Sequence, residues 1–116
     1  MSISKLVPVL FQYQLLLKLY HWQTVSFARH KAADELYDRF TDFLDQLVEY
    51  GTSEKRLYIQ PQAIQIQNMT DDEAIPFLEK LCTLIDSIDT KDKGIRARRD
   101  DLVGFIHQAI YLFRLS

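Results

Sequence analysis

Between Ala33 and Val48 the apolar side chains return every three or four positions. Ala33, Leu36, Phe40, Phe43, Leu44, Leu47 and Val48 gather on one side when successive residues are set about 100° apart. That period demands a helix, and a helix apolar on one face needs partners to bury it. The spacing predicts a second helix from about Arg29 to Tyr50, with Gly51 as its C-terminal cap. A first helix is predicted from about Ile3 to Thr24. Leu6, Val9, Leu10, Tyr13, Leu16, Leu17 and Tyr20 form its stripe, and Phe11, Leu15, Leu19 and Trp22 widen that stripe beyond one face. A helix apolar on several sides is buried by more than its own bundle, which points to a subunit interface. Pro8 is expected in or before the first turn, where its missing N–H does no harm.

Thr24-Val25-Ser26-Phe27 reads as a short loop, so the first two helices must lie antiparallel. From Thr52 to Asn68, Lys55, Arg56 and a string of glutamines alternate with Leu57, Ile59, Ile64 and Ile66, and Pro61 breaks any long element. A strand there would have no partner. The expectation is a long crossover with one helical turn near Pro61 to Ile66. A third helix starts at Thr70, where Thr70 and Glu73 form a capping-box pattern and Asp71 and Asp72 suit the positive end of the helix dipole. Ile75, Leu78, Leu81, Ile85 and Ile88 supply its stripe, while Pro76 predicts a kink or a later start. Asp89 to Gly94 makes the last turn. A fourth helix, from about Ile95 to Leu115, buries Leu102, Phe105, Ile106, Ala109, Ile110, Leu112 and Phe113, with Gly104 marking a close helix crossing. The sum is an all-α, ferritin-like four-helix bundle, a single domain over residues 1–116, with one long crossover between the second and third helices.

Composition narrows the function. The chain has 116 residues, 47% apolar and 26% charged, with a formal charge of −2, which disfavours nucleic acid as a partner. One cysteine, Cys82, excludes an internal disulfide or a cysteine-based zinc site and fits a reducing, cytoplasmic setting. Cys82 itself is expected to pack beside Leu78 and Ile85 as a small hydrophobe. Pro8, Gln12, Gln14 and Lys18 interrupt the apolar N-terminal stretch, so neither a membrane partner nor a signal peptide is expected.

The second helix carries His30, Asp34, Asp38, Asp42, Asp45 and Glu49 within an arc of about 120°. His30 with Asp34 and Asp45 with Glu49 are pairs four residues apart, so each pair sends two ligand-type side chains off one face. Carboxylates and imidazole suit iron, manganese or zinc. Most acidic helix faces are simply solvated, and that is the competing reading. His21, near the end of the first helix, reads alone as a hydrogen-bonded core residue, and His107 as a core-edge histidine. Arg96, Arg98 and Arg99 are matched by Asp100 and Asp101, which points to surface ion pairing. Phosphate loops, serine-nucleophile elbows and His-Glu-x-x-His are absent from the sequence, and no Glu-x-x-His serves a di-iron site inside one bundle.

Leu17-Lys18-Leu19-Tyr20-His21-Trp22-Gln23, His30-x3-Asp34-Glu35-x-Tyr37 and Asp45-x3-Glu49 together resemble the Dps-type mini-ferritins (DNA-binding proteins from starved cells). The intervals of four, eleven and four residues from His30 through Asp34 and Asp45 to Glu49 are those of that family. The resemblance covers roughly residues 13 to 50. It implies that iron binds between two antiparallel subunits, held by His21, His30 and Asp34 of one chain and by Asp45 and Glu49 of the partner subunit. There, iron(II) would be oxidised by peroxide or oxygen. His21 and His30 stand nine apart, three fewer than in the family pattern, so the loop between them is shorter. A basic N-terminal arm is missing, so DNA binding is not carried over. The expectation is a Dps-related, metal-binding homodimer or larger homo-oligomer with possible ferroxidase activity. The alternative is a non-catalytic helical interaction or structural module that has lost its metal site.

Overall fold

Three side-chain caps set where the helices begin. Ser26 Oγ accepts from the Arg29 amide at 3.2 Å, Thr70 and Glu73 form a reciprocal capping box, and Asp92 Oδ1 accepts from the Ile95 amide at 2.9 Å. Each satisfies an amide that the first turn leaves without a carbonyl. The structure is a computed structural model and describes residues 2–51 and 56–116. Its helices are α1 (Ile3–Gln23), α2 (Phe27–Gly51), α3 (Asp71–Asp86) and α4 (Lys93–Arg114). The arrangement is an all-α four-helix bundle with short, long and short connections, in the order read from the sequence.

α1 packs on α2, α2 on α4, and α4 on α3. Leu10 and Leu17 of α1, Leu36, Phe40 and Leu47 of α2, Leu78, Leu81 and Ile85 of α3, and Ile106 and Phe113 of α4 are fully buried. Tyr13 packs against Phe77 in a tilted pair with ring centroids 5.3 Å apart, bringing α1 against α3, and Tyr20 meets Phe113 at 5.7 Å, joining α1 to α4. Most of the expected core is inside. Val9, Leu112 and His107 are exceptions and face solvent. Cys82 is half-buried against the core, and burial raises its thiol pKa, with Asp86 adding to the shift.

Three local expectations are corrected, and for Pro76 the later helix start is excluded. Pro8 lies in the second turn of α1, not the first, and Pro76 holds the same position in α3, which nevertheless starts at its Thr70 cap. Each removes one amide from the ladder one turn inside the helix, and the buried stripe around it outweighs that loss. Gly51 is the last residue of α2 and has no positive φ. Its role is close approach: a Cβ there would lie 3.3 Å from Ile95 Cδ1 and 3.5 Å from Ile3 Cδ1. Gly104 marks no helix crossing, because a Cβ added to it meets nothing within 4 Å.

The crossover runs from Leu57 to Thr70 without helix or strand, so the turn expected near Pro61 to Ile66 is absent. One isolated turn fixes many torsions for very few hydrogen bonds, and this exposed, glutamine-rich stretch has no apolar face to offset that cost. The crossover is tied down by side chains instead. Gln12 Nε2 donates to the Gln65 carbonyl, while Gln23 accepts from the Met69 amide at 2.7 Å and donates to Asn68 at 2.9 Å. The part of the expected crossover from Thr52 to Lys55 lies outside the described residues.

Candidate metal centre

Thr24, Val25 and Ser26 are all that separates α1 from α2. This tight turn sets the last turn of α1 beside the first turn of α2, and with them His21 and His30. The two imidazoles stack with centroids 3.9 Å apart and planes 16° apart. His21 Nδ1 lies 2.7 Å from the His30 carbonyl, and His30 Nδ1 lies 2.6 Å from the His21 carbonyl. A carbonyl only accepts, so both Nδ1 atoms carry the proton. The His21 carbonyl is one that the end of α1 would otherwise leave unpaired.

This crossed pair fixes the chemistry of both rings. In a neutral imidazole with Nδ1 protonated, Nε2 holds a lone pair, and that is the form in which histidine ligates metals. His21 Nε2 lies 3.8 Å from Asp34 Oδ1, one turn along α2 from His30. Imidazole nitrogen and carboxylate are ligand types of a divalent transition ion, but His21, His30 and Asp34 are not placed to enclose one by themselves. The shorter loop between His21 and His30 sets the two rings face to face. His21 is buried, as expected of a hydrogen-bonded core histidine, but its Nε2 edge points toward an exposed acid.

Asp34 also has a resident cation. Lys18 Nζ sits 3.8 Å from Asp34 Oδ1 and lies over the Tyr37 ring at 4.7 Å and the Trp22 ring at 5.6 Å. Asp45 and Glu49 are exposed further along α2. At 1.5 Å per residue, Asp45 stands about 16 Å from Asp34 along the axis. These two acids therefore cannot join the histidines of their own chain. Among the described residues, no group of three or more histidine, cysteine or acidic side chains is placed to enclose a metal within one chain. The expected ion pairing in the arginine run takes the form of Arg99 against Asp100 at 3.1 Å, and Arg99 also donates to the Ile88 carbonyl.

Behind the histidines lies a buried polar network that the periodicity analysis missed. Tyr20 and Thr24 both donate their hydroxyls to Asp71 Oδ1, at 2.7 and 2.6 Å. Arg29 Nη1 donates to the Tyr20 oxygen at 3.1 Å and to the Asp71 carbonyl at 2.9 Å. Its Nε and Nη2 both reach the Phe113 carbonyl, at 3.2 and 2.7 Å. The Thr24 and Tyr20 hydroxyls hold the Asp71 carboxyl below its ordinary pKa, while burial raises that of the Tyr20 phenol. A signal was present in the sequence. Arg29 precedes Ala33, Leu36 and Phe40 by four, seven and eleven residues, so it lies on the apolar stripe. A cation there must find buried acceptors.

Residues 21–113 match a family of unknown function, DUF5856. No curated protein and no solved structure matches the chain.

Proposed function

The chain belongs to the family DUF5856, and we propose that it is a Dps-related metal-binding protein that works as a two-fold dimer. In this reading a divalent transition ion, with iron(II) as substrate, is held between His21, His30 and Asp34 of one chain and Asp45 and Glu49 of the partner subunit. Peroxide or oxygen takes the electrons. The observation that carries the reading is the crossed hydrogen bonding of His21 and His30, which occupies both Nδ1 atoms and leaves His21 Nε2 3.8 Å from Asp34 Oδ1.

The surface of α1 supports the dimer. Phe11, Leu15 and Trp22 are 40, 45 and 67% exposed and lie within about 40° of one another around the helix axis. Large apolar side chains aligned on one face of a soluble bundle suit association with a second copy. Asp45 and Glu49, exposed on the adjoining helix, are then free to meet the histidines of the partner subunit.

In the proposed site the chain's own groups do three things. The two imidazoles would supply nitrogen ligands with Nδ1 held by backbone, the three carboxylates would balance the cation's charge, and Trp22 and Tyr37 hold Lys18, the cation beside Asp34. The test is elemental analysis after addition of Fe(II), Mn(II) or Zn(II), with sedimentation to give the assembly. Stoichiometric metal on a dimer, lost in Asp45→Ala with Glu49→Ala while the dimer persists, supports the reading. A chain that takes up no metal, or one in which those substitutions are neutral, overturns it and leaves a non-catalytic helical module.

A further inference from the structure

Each histidine of the pair follows directly on a member of the buried network. Tyr20 precedes His21 in α1, and Arg29 precedes His30 in α2. Neighbouring residues on a helix point about 100° apart, so the rotation that sends Tyr20 and Arg29 inward also sets the azimuth of the two imidazoles. Both inward side chains converge on one residue outside the α1–α2 pair. Asp71, the first residue of α3, takes the Tyr20 hydroxyl on its carboxylate and Arg29 Nη1 on its carbonyl. Thr24, in the turn itself, binds the same carboxylate oxygen.

We propose that Asp71 is a positioning residue for the histidine pair, holding α1 and α2 in the register at which the His21 and His30 rings stack and donate to each other's carbonyls. A three-residue turn limits the separation of two helix ends but not their relative rotation. The crossed bonds require that rotation to be right for both helices at once, since a slip of either breaks one bond and offsets the stack. Asp71 supplies the fixed point. It touches the end of α1, the turn and the start of α2, and it is anchored in α3 by the Thr70–Glu73 capping box. The crossover that delivers α3 to this position thereby acts on the candidate metal ligands without contacting them.

The experiment reads the tautomers in the metal-free full chain by long-range 1H–15N correlation of the imidazoles. In the parent protein His21 and His30 show the Nδ1-protonated pattern. His107, exposed on α4, serves as internal reference for a free imidazole. In Asp71→Ala the signals of His21 and His30 move toward the His107 pattern. Asp72→Ala, which removes an exposed acid of the same turn one residue away and leaves the Asp71 contacts in place, does not move them. Tyr20→Phe removes one hydroxyl, keeps the ring in the core and shifts the signals in the same direction, so it carries the test should Asp71→Ala not fold. Unchanged tautomers in the folded variants, or an equal shift in Asp72→Ala, overturn the proposal.

A second readout rests on the metal reading above. The Co(II) affinity of Asp71→Ala falls about tenfold, as when a group orienting a metal ligand is lost. The two failures are distinguishable. A parent protein that binds no Co(II) overturns the metal site while the tautomer result still decides the role of Asp71.

Discussion

Arg29 closes the C-terminal end of α4 by giving two N–H groups to the Phe113 carbonyl, at 3.2 and 2.7 Å, while its guanidinium lies 5.1 Å from the centre of the Phe113 ring. A helix end gathers unpaired carbonyls and partial negative charge, and a buried cation placed there answers both. The same side chain reaches the start of α3 and the Tyr20 hydroxyl, so one residue of α2 joins all four helices. Arg29→Met keeps most of the stem but strands those buried acceptors. It is expected to lower unfolding free energy by about 3 kcal/mol, measured as a shift in the urea midpoint at constant slope. Arg29→Lys recovers only part, because an ammonium cannot reproduce the planar fork that serves all three acceptors.

The acid and alkaline limbs of stability are expected to trace to Asp71 and Tyr20. Hydrogen bonds from Thr24 and Tyr20 depress the Asp71 pKa in the fold. Its contribution is complete above the unfolded carboxylate value near pH 4 and is lost as pH falls through the lower folded value. Glu73, depressed chiefly by the Thr70 amide, follows the same sense. Burial raises the Tyr20 pKa, so its contribution is complete below about pH 10 and is lost as pH rises toward the folded value. Urea midpoints measured from pH 2 to 11 should show Asp71→Asn flattening part of the acid limb and Tyr20→Phe flattening the alkaline one.

The helices were legible because their information is local. A stripe such as Leu36, Phe40, Phe43 and Leu47 states its own period, and Thr70 with Glu73 states its own cap. The histidine pair was half legible. The intervals from His30 to Asp34 and from Asp45 to Glu49 can be read along one helix, whereas the stacking of His21 on His30 depends on how two helices rotate about a turn. The Arg29–Asp71 network was not legible, since its partners lie 42 and 84 residues away and only the fold brings them together. The glycines misled for a related reason: sequence shows where a side chain is missing but not what faces the gap.

Gly104 and Gly51 should therefore respond oppositely to alanine. A methyl at Gly104 meets nothing within 4 Å and relieves the entropic cost of glycine inside α4, so Gly104→Ala is expected to stabilise by about 1 kcal/mol. At Gly51 the methyl presses on Ile95 Cδ1 at 3.3 Å, with Ile3 in ordinary contact at 3.5 Å, near the end of α2 where helix propensity counts for less. Gly51→Ala gains less than Gly104→Ala or destabilises. Paired thermal melts, with sedimentation to confirm an unchanged assembly, check both.

Lys18 occupies the position from which a metal would have to draw Asp34. Its ammonium is 3.8 Å from the carboxylate and lies over the Tyr37 and Trp22 rings, so it neutralises the acid when no other cation is near. An incoming divalent ion gains Asp34 only by displacing Lys18 or sharing the carboxylate with it, and the like charges repel. Because the pair is solvent-exposed, its strength is on the order of 0.5 kcal/mol, not several. Lys18→Gln is therefore expected to tighten Co(II) or Zn(II) binding by about two- to threefold in isothermal titration. The gain should be largest at low salt, where repulsion of the incoming ion is least screened. Asp34→Asn removes a proposed ligand and is expected to weaken binding, and adding Lys18→Gln to it should restore little, since the lysine then has no carboxylate to contest. A Lys18→Gln variant that binds more weakly than the parent would show that the ammonium supports the site through its ring contacts and does not compete with the ion.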